Sequence, residues 1–273
     1  MIKEGIYRVI IIAVFACMVV TLFSCSLGKK EISITSTYDG LNKLIEGEID
    51  IDRLNDWIYI DDNPYYSYEC AVSVYDGTLH VSEIEDDSYR QYMFAGDNGY
   101  FMGVSIGHFD GWVRYYPYNS AFTSTESKLI CTSNCVGMVK RDNRHGYFIT
   151  PDTSSEGGRG IIYELTLSDT SSEWECSELL SIDGAPEAMA YDEESNELVV
   201  ASNTGLYLID IDSDELTSIS LTVPSQEIWS IMQPNSVAMI DEFIYVGTST
   251  GVYEYDRNTS VYRWYPVDFS VHL

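Results

Sequence analysis

A near-duplication within the chain is the feature that most constrains its fold. The stretch ELVVASNTGLYLID spans 197–210, and FIYVGTSTGVYEYD, which spans 243–256, begins 46 residues later. Most mismatches keep their chemical character, and the identical pairs are Val200 and Val246, Thr204 and Thr250, Gly205 and Gly251, Tyr207 and Tyr253, and Asp210 and Asp256. A chain that repeats a unit at a fixed period builds one supersecondary structure several times.

Each copy has the pattern of a β-hairpin. An apolar run rich in β-branched residues leads into a polar turn with glycine, and a second run of alternating polarity follows. Looser copies occupy 99–118 and 145–168, and short strand candidates such as 188–192 and 216–221 flank the hairpins. The glycines that open the second strand are spaced by 45 to 49 residues: Gly111, Gly160, Gly205 and Gly251.

Four strands in each period of this length predict an all-β fold, and a β-propeller accommodates them best. An irregular first unit, with strand candidates at 56–61, 69–76 and 78–85, brings the number to five blades of four antiparallel strands. The predicted blades end near residues 87, 132, 182, 222 and 268. Two alternatives remain, namely six blades, if 31–87 holds a further unit, and a β-sandwich built from similar hairpins.

The phrase IYVGTSTGVYEYD resembles repeats in the periplasmic sensor propellers of bacterial two-component regulators. In this chain and in those propellers, an apolar strand, a Gly/Ser/Thr turn and an aromatic-x-aromatic-Asp strand recur. The resemblance covers two units clearly and two loosely. It implies the propeller, and it does not imply the signalling role.

The first residues have the pattern of a secretion signal, in which Lys3 and Arg8 precede an apolar run that ends at Phe23. The segment Leu22-Phe23-Ser24-Cys25 resembles the lipobox of bacterial lipoproteins. This resemblance implies cleavage before Cys25 and attachment of lipid to its thiol. The chain is therefore predicted to be anchored by lipid in a bacterial cell envelope, and in the outer membrane if the cell is diderm.

These patterns divide the chain into three parts. Residues 1–24 are the predicted signal peptide, 25–40 hold the lipidated cysteine and a tether, and 41–273 form the propeller domain. Within the tether, 31–37 is predicted to be a strand that closes the ring by pairing with the final strand, 261–267. Closure of this kind would remove two unpaired sheet edges, which otherwise promote aggregation.

The charge of the chain excludes some partners. It carries 43 acidic and 15 Lys or Arg residues, for a formal net charge of −28. A field of this sign repels phosphate backbones, so nucleic-acid binding is not expected. Solubility outside the cell explains the acidity without a specific cation site.

Four cysteines lie beyond the lipobox: Cys70, Cys131, Cys135 and Cys176. An exported compartment permits disulfides, and four thiols allow three pairings, which the sequence leaves open. The stretch CTSNC at 131–135 lacks the C-x-x-C spacing of zinc and redox sites, and no histidine lies near it in sequence. The cysteines are interpreted as structural, and neither a metal nor a cofactor is expected.

One face of a propeller usually binds ligands, namely the face with the turns between second and third strands and the links between blades. The first three of these turns are long, and long loops on a rigid scaffold often carry function. The residues predicted to contact a ligand there, by stacking on sugars or aromatic groups, are Tyr65, Tyr66, His108, Trp112, Arg159 and Trp229.

No catalytic motif stands out. Glycosidases need a pair of carboxylates, and the acids predicted on this face are Asp61, Asp62, Asp110, Asp152, Glu156 and Glu187. In so acidic a chain these acids select no pair, so no catalytic residue is predicted. The leading hypothesis is an exported, lipid-anchored propeller that binds a protein or glycan partner without catalysis. The alternatives are a carbohydrate-active hydrolase or lyase, and a structural subunit of an envelope complex.

Overall fold

The computed structural model describes residues 31–33, 69–75, 77–84, 89–106, 110–120, 126–152, 158–213, 218–221, 223, 226–249 and 251–266. The signal peptide, Cys25, the tether beyond Ser33, Tyr65, Tyr66 and His108 lie outside these ranges. Within them the protein is all-β, with one short helix, so the all-β part of the prediction is confirmed. No helix in this part of the chain is long and apolar enough to cross a membrane.

The described strands pair antiparallel in five sheets. Sheet 1 has the order β1-β3-β2 and contains β1 (Glu31–Ser33), β2 (Glu69–Tyr75) and β3 (Thr78–Ile84). Sheet 2 contains, in order, β4 (Tyr89–Ala95), β5 (Gly99–Ile106), β6 (Asp110–Pro117) and β7 (Lys128–Cys131). Sheet 3 contains, in order, β8 (Gly137–Lys140), β9 (His145–Pro151), β10 (Arg159–Leu167) and β11 (Trp174–Asp183).

The last two sheets contain the near-duplicated hairpins. Sheet 4 contains, in order, β12 (Pro186–Asp192), β13 (Glu197–Ser202), β14 (Leu206–Asp210) and β15 (Ser218–Leu221). Helix α1 (Gln226–Met232) follows it. Sheet 5 contains, in order, β16 (Pro234–Ile240), β17 (Phe243–Thr248), β18 (Gly251–Asp256) and β19 (Val261–Pro266).

The two hairpins fold in the same register. Val200 on β13 lies opposite Tyr207 on β14, and Val246 on β17 lies opposite Tyr253 on β18. The repeated residues therefore pair with one another in both copies, which confirms that the sequence repeat is a structural repeat. The ends of sheets 2 to 5, at residues 131, 183, 221 and 266, also fall close to the predicted unit ends.

The cores lie between neighbouring sheets. Because alternate side chains of a strand point to opposite faces, a strand with a sheet on each side is buried on both. In β13 and β17 every residue after the first is buried, and these strands read as nearly continuous apolar runs. One edge strand of each sheet contacts an edge strand of the next, in the sequence β4, β8, β12, β16 and β2.

The structure corrects one proposed pairing. Residues Glu31–Ser33 pair with β3, with Ile32 opposite Val81, and not with the last strand. β3 has β2 along one edge only, so its other edge is available to β1. In the described part of the chain the sheet neighbour of β19 is β18 alone. Residues 34–37 lie outside the described ranges.

The structure also places a helix in the link between sheets 4 and 5, which holds Trp229. The stretch between Pro224 and Pro234 forms α1, a helix of seven residues. Ile228, Trp229 and Met232 are buried, and they belong to the core between sheets 4 and 5. This packing stabilises a helix that is too short to be stable alone.

Candidate functional site

The beginnings of three strands from three different sheets converge on Arg90, the second residue of β4. Its Nη1 donates one hydrogen bond to the carbonyl oxygen of Glu187 and one to that of Asn235, each at 3.2 Å. Glu187 is the second residue of β12, and Asn235 is the second residue of β16. These acceptors are 97 and 145 residues away from Arg90 in the chain.

Both acceptors are bulged residues. The register of β12 against β13 shifts between Pro186 and Ala188, and that of β16 against β17 shifts between Pro234 and Ser236. The extra residues are therefore Glu187 and Asn235. A bulge removes a residue from the regular ladder of hydrogen bonds and redirects it. The guanidinium of Arg90 supplies the donors for these two displaced carbonyls.

The convergence borders a cavity of about 300 Å³. Its lining residues are Arg90, Glu187, Asn203, Ser230, Gln233, Pro234 and Asn235. Asn203 follows β13 and Ser230 lies on α1, while Gln233 connects α1 to β16 with a φ of 51°. A residue with positive φ commonly ends a helix, and here it turns the chain directly into the bulged start of β16.

Asn235, which lines the cavity, carries a buried hydrogen-bond donor. The residue is 6% exposed, and its Oδ1 accepts a hydrogen bond from Ser236 Oγ at 2.9 Å. Ser236 Oγ in turn accepts from the backbone N–H of Val72 on β2, at 2.8 Å. Asn235 Nδ2 has no hydrogen-bond partner among the described residues. A buried donor without a partner costs about 1–3 kcal/mol, which a bound acceptor would recover.

The pKa of Tyr92 is affected by charged groups that line the cavity. Its hydroxyl donates to the carbonyl of Val136 at 2.7 Å. Burial raises the pKa of Tyr92, the charge of Arg90 opposes this rise, and the carboxylate of Glu187 adds to it. A cation and an anion therefore lie within electrostatic range of one hydroxyl, and the cavity presents both signs of charge.

A second cavity, of about 420 Å³, lies where sheets 4 and 5 meet. Its lining residues are Leu208, Leu221, Asp241, Glu242, Tyr255, Arg257 and Asn258. The cation of this cavity, Arg257, is already paired with Glu197 and, at 3.5 Å, with Asp192. We interpret this site as a structural joint between the two sheets and take the smaller cavity as the candidate site.

The structure separates the predicted ligand contacts. Trp112 is half-buried on β6, and the guanidinium of Arg114 lies 5.4 Å from the centre of its ring. Arg159 is exposed at the start of β10 and hydrogen-bonds Ser181. Neither Trp112 nor Arg159 lines the cavity of Arg90. Tyr65, Tyr66 and His108 stay predictions.

The prediction that Trp229 contacts a ligand is wrong. Its ring is fully buried in the core between sheets 4 and 5, where it packs edge-on against Tyr253 with the ring centres 5.1 Å apart. Its Nε1 donates to the carbonyl of Ser202 at 2.7 Å. The residue therefore supports the wall of the cavity from behind and offers no face to a ligand.

Arg90 and Asn235 were not among the predicted site residues, whereas Glu187 was one of the acids predicted on this face. Among the other five acids, Asp152 lies at the end of β9, outside the cavity, and the side chains of the remaining four lie outside the described residues. A signal for the missed residues does exist in the sequence. Both bulged strands begin with proline, as PEAM and PNSV, and proline within sheets is found at strand starts and bulges.

The comparisons with known proteins do not identify a family for this chain. No family model and no curated protein matches the chain. Two similar solved structures are apo AztD from Citrobacter koseri, at 14% identity and a TM-score of 0.34, and a Trypanosoma rangeli sialidase in complex with 2,3-difluorosialic acid, at 9% and 0.36. The matches cover 72% and 71% of this chain, but 61% of AztD and 40% of the sialidase. The function is therefore inferred from the cavity itself.

Proposed function

We propose that the protein is an exported, lipid-anchored five-bladed β-propeller that binds the polar end of a glycan in the Arg90 cavity, without catalysis. Each of the five sheets would be one blade, with β2, β4, β8, β12 and β16 as the inner strands. The contacts of β4 with β8, β8 with β12, β12 with β16 and β16 with β2 support this arrangement. The hydrogen bonds from Arg90 to two sheets that do not adjoin its own support it further.

The observation that supports a glycan as the ligand is the mixture of donors and acceptors in one small cavity. Asn235 Nδ2 is a donor, the carboxylate of Glu187 is an acceptor, and Arg90, whose Nη1 already serves two carbonyls, adds a positive charge. A sugar hydroxyl both donates and accepts, so it pairs with either kind of group, whereas a simple anion would be repelled by Glu187. The volume of about 300 Å³ is at the lower end of the range for ligand sites, and it suits one sugar ring.

Binding of the purified full chain to a glycan array tests the proposal. The diagnostic variant is Asn235→Asp, which keeps the shape and Oδ1 of the side chain but replaces the unpartnered donor with an acceptor. We expect it to weaken glycan binding at least about tenfold. The matched control is Asn258→Asp, an exposed turn residue in the second cavity, which should bind normally.

The outcomes separate the alternatives. If no glycan binds, or if Asn235→Asp binds as well as the unmodified protein, the proposed ligand site is wrong. If a bound glycan is cleaved, the protein is the carbohydrate-active enzyme. If a pull-down from the native envelope recovers a stable complex that none of these substitutions weakens, the structural-subunit alternative is favoured.

The membrane anchor is part of the same proposal. Cys25 follows the lipobox-like segment, and Cys17 lies inside the apolar run. We expect Cys25→Ser to abolish labelling of the protein by a fatty acid and to leave the precursor unprocessed. The control Cys17→Ser should be labelled as strongly as the unmodified protein. Labelling that persists without Cys25 would refute the anchor and leave the cavity proposal standing.

A further inference from the structure

Two cysteines on the outer strands of neighbouring sheets face the same interface. Cys131 on β7 lies opposite Val113, and Cys176 on β11 lies opposite Leu165. Residues opposite each other in antiparallel strands point to the same face of the sheet. Val113 and Leu165 belong to the core between sheets 2 and 3, and Cys131 packs against that core. Both thiols therefore point into the space between these sheets.

The starts of the two strands contact each other. Lys128 at the start of β7 donates from Nζ to the carbonyl of Trp174, the first residue of β11, at 3.4 Å. The indole of Trp174 packs edge-on against Phe101 of sheet 2, with the ring centres 4.8 Å apart. Cys131 lies three residues after Lys128, and Cys176 two after Trp174, so the two thiols lie at similar distances along their strands from this contact.

We propose that Cys131 and Cys176 form a disulfide that joins sheets 2 and 3 in an oxidising compartment. The use of this bond in the cell rests on the proposed export of the protein, whereas its formation depends only on the geometry of the chain. In the structure both residues are free thiols. The bond would link residues 45 positions apart and would tie two sheets at their outer edges.

The chemistry requires an oxidant, which we take to be the disulfide of a thiol–disulfide oxidoreductase. The exposed Cys176 thiol loses its proton and attacks this disulfide, forming a mixed disulfide and releasing one thiolate of the oxidant. The Cys131 thiolate then attacks Cys176 Sγ, which forms the new bond and releases the second thiolate. The two cysteines lose two protons and two electrons, and the oxidant becomes a dithiol.

Burial selects this pair over the other thiols. Cys135 is fully buried, and its Sγ donates to the carbonyl of Gly137 at 3.5 Å, while Cys70 is 1% exposed. Neither is accessible to a protein oxidant, whereas Cys176 is exposed and Cys131 is half-buried. Although the residue as a whole is exposed, partial burial of the Cys176 thiol, and then the charge of Cys131, raise its pKa to about 11. A thiol of high pKa is a poor leaving group, so the bond resists reduction once formed.

Peptide mapping of the purified full chain tests the bond independently of export. The protein is treated with oxidised glutathione and a thiol–disulfide oxidoreductase, and the remaining thiols are alkylated after unfolding. We expect one cross-linked peptide pair containing Cys131 and Cys176, lighter by two hydrogens, with Cys70 and Cys135 alkylated. Alkylation of all four of Cys70, Cys131, Cys135 and Cys176, or a link between Cys131 and Cys135, would overturn the inference.

Thermal unfolding gives a second readout. Reduction of the oxidised protein should lower its Tm by roughly 10 °C, because the cross-link restricts the unfolded chain. Cys176→Ser should abolish this response to reductant, and Cys70→Ser should retain it even if its absolute Tm is lower. A response to reductant that persists in Cys176→Ser would mean that another pair forms the bond.

Discussion

Replacing Trp229 with phenylalanine tests whether this residue supports the fold or contacts a ligand. The indole is fully buried, and its N–H donates to Ser202. Phenylalanine has no N–H group, so the carbonyl of Ser202 loses this partner. The residue opposite Ser202 in the sheet is Pro186, which has no N–H with which to replace it.

The expected cost has two parts. A buried acceptor left without its partner costs about 1–3 kcal/mol. The smaller ring leaves roughly 40 Å³ unfilled, which at roughly 24 cal/mol per Å³ costs about 1 kcal/mol more. The free energy of unfolding should therefore fall by about 2–4 kcal/mol, and the Tm by roughly 5–15 °C.

Urea unfolding of the full chain measures this cost. The midpoint should move to lower urea with an unchanged slope, because the surface exposed on unfolding is nearly the same. The matched control is Trp112→Phe, which removes the same atoms from a half-buried ring and should cost less than about 1 kcal/mol. If Trp229→Phe is as stable as the unmodified protein but binds glycans less well, the ligand-contact interpretation is correct and the structural one fails.

Three further predictions concern particular contacts. Gly251→Ala should cost about 1–3 kcal/mol in urea unfolding because the residue has a φ of 154°, whereas Gly205→Ala, with 3.7 Å of clearance for its Cβ, should change stability by less than about 1 kcal/mol. Glu197→Gln should cost about 1–3 kcal/mol by breaking the partly buried ion pair with Arg257, and less in high salt. Burial raises the pKa of Asp142, but hydrogen bonds from nearby backbone and imidazole groups outweigh this and lower it. Its stabilising contribution should be lost as the pH falls below about 4, so Asp142→Asn should flatten the acid side of the Tm profile.

The repeated hairpins were predictable because they are local. Both partners of each strand pair lie within one unit, so alternation of polarity, a turn and a glycine suffice to define them. The repeat nevertheless hid a difference between its two glycines, because only Gly251 has a positive φ. Identical residues in two copies therefore need not have the same conformational role.

Helix α1 shows why the role of Trp229 was not predicted. Proline at 224 and 234 and the polar residues between them are typical of a loop, and loop aromatics often contact ligands. The helix exists because the chain between sheets 4 and 5 buries three apolar side chains in the core that joins them. That core also includes Tyr253, from a later strand. The local sequence therefore does not show that Trp229 will be buried.

The candidate site could not be predicted from the sequence, because its groups are positioned by hydrogen-bonding requirements of the backbone at residues far apart in the chain. Two bulges displace the carbonyls of Glu187 and Asn235 from their ladders, and a buried carbonyl needs a donor. A single nitrogen of Arg90 serves both, which suits the planar, always charged guanidinium better than a lysine. The amide of Asn235 is then held by Ser236 at its oxygen, which leaves its nitrogen for another partner. The groups that would select a ligand thus arise from the joining of three sheets, and no short motif could have indicated them.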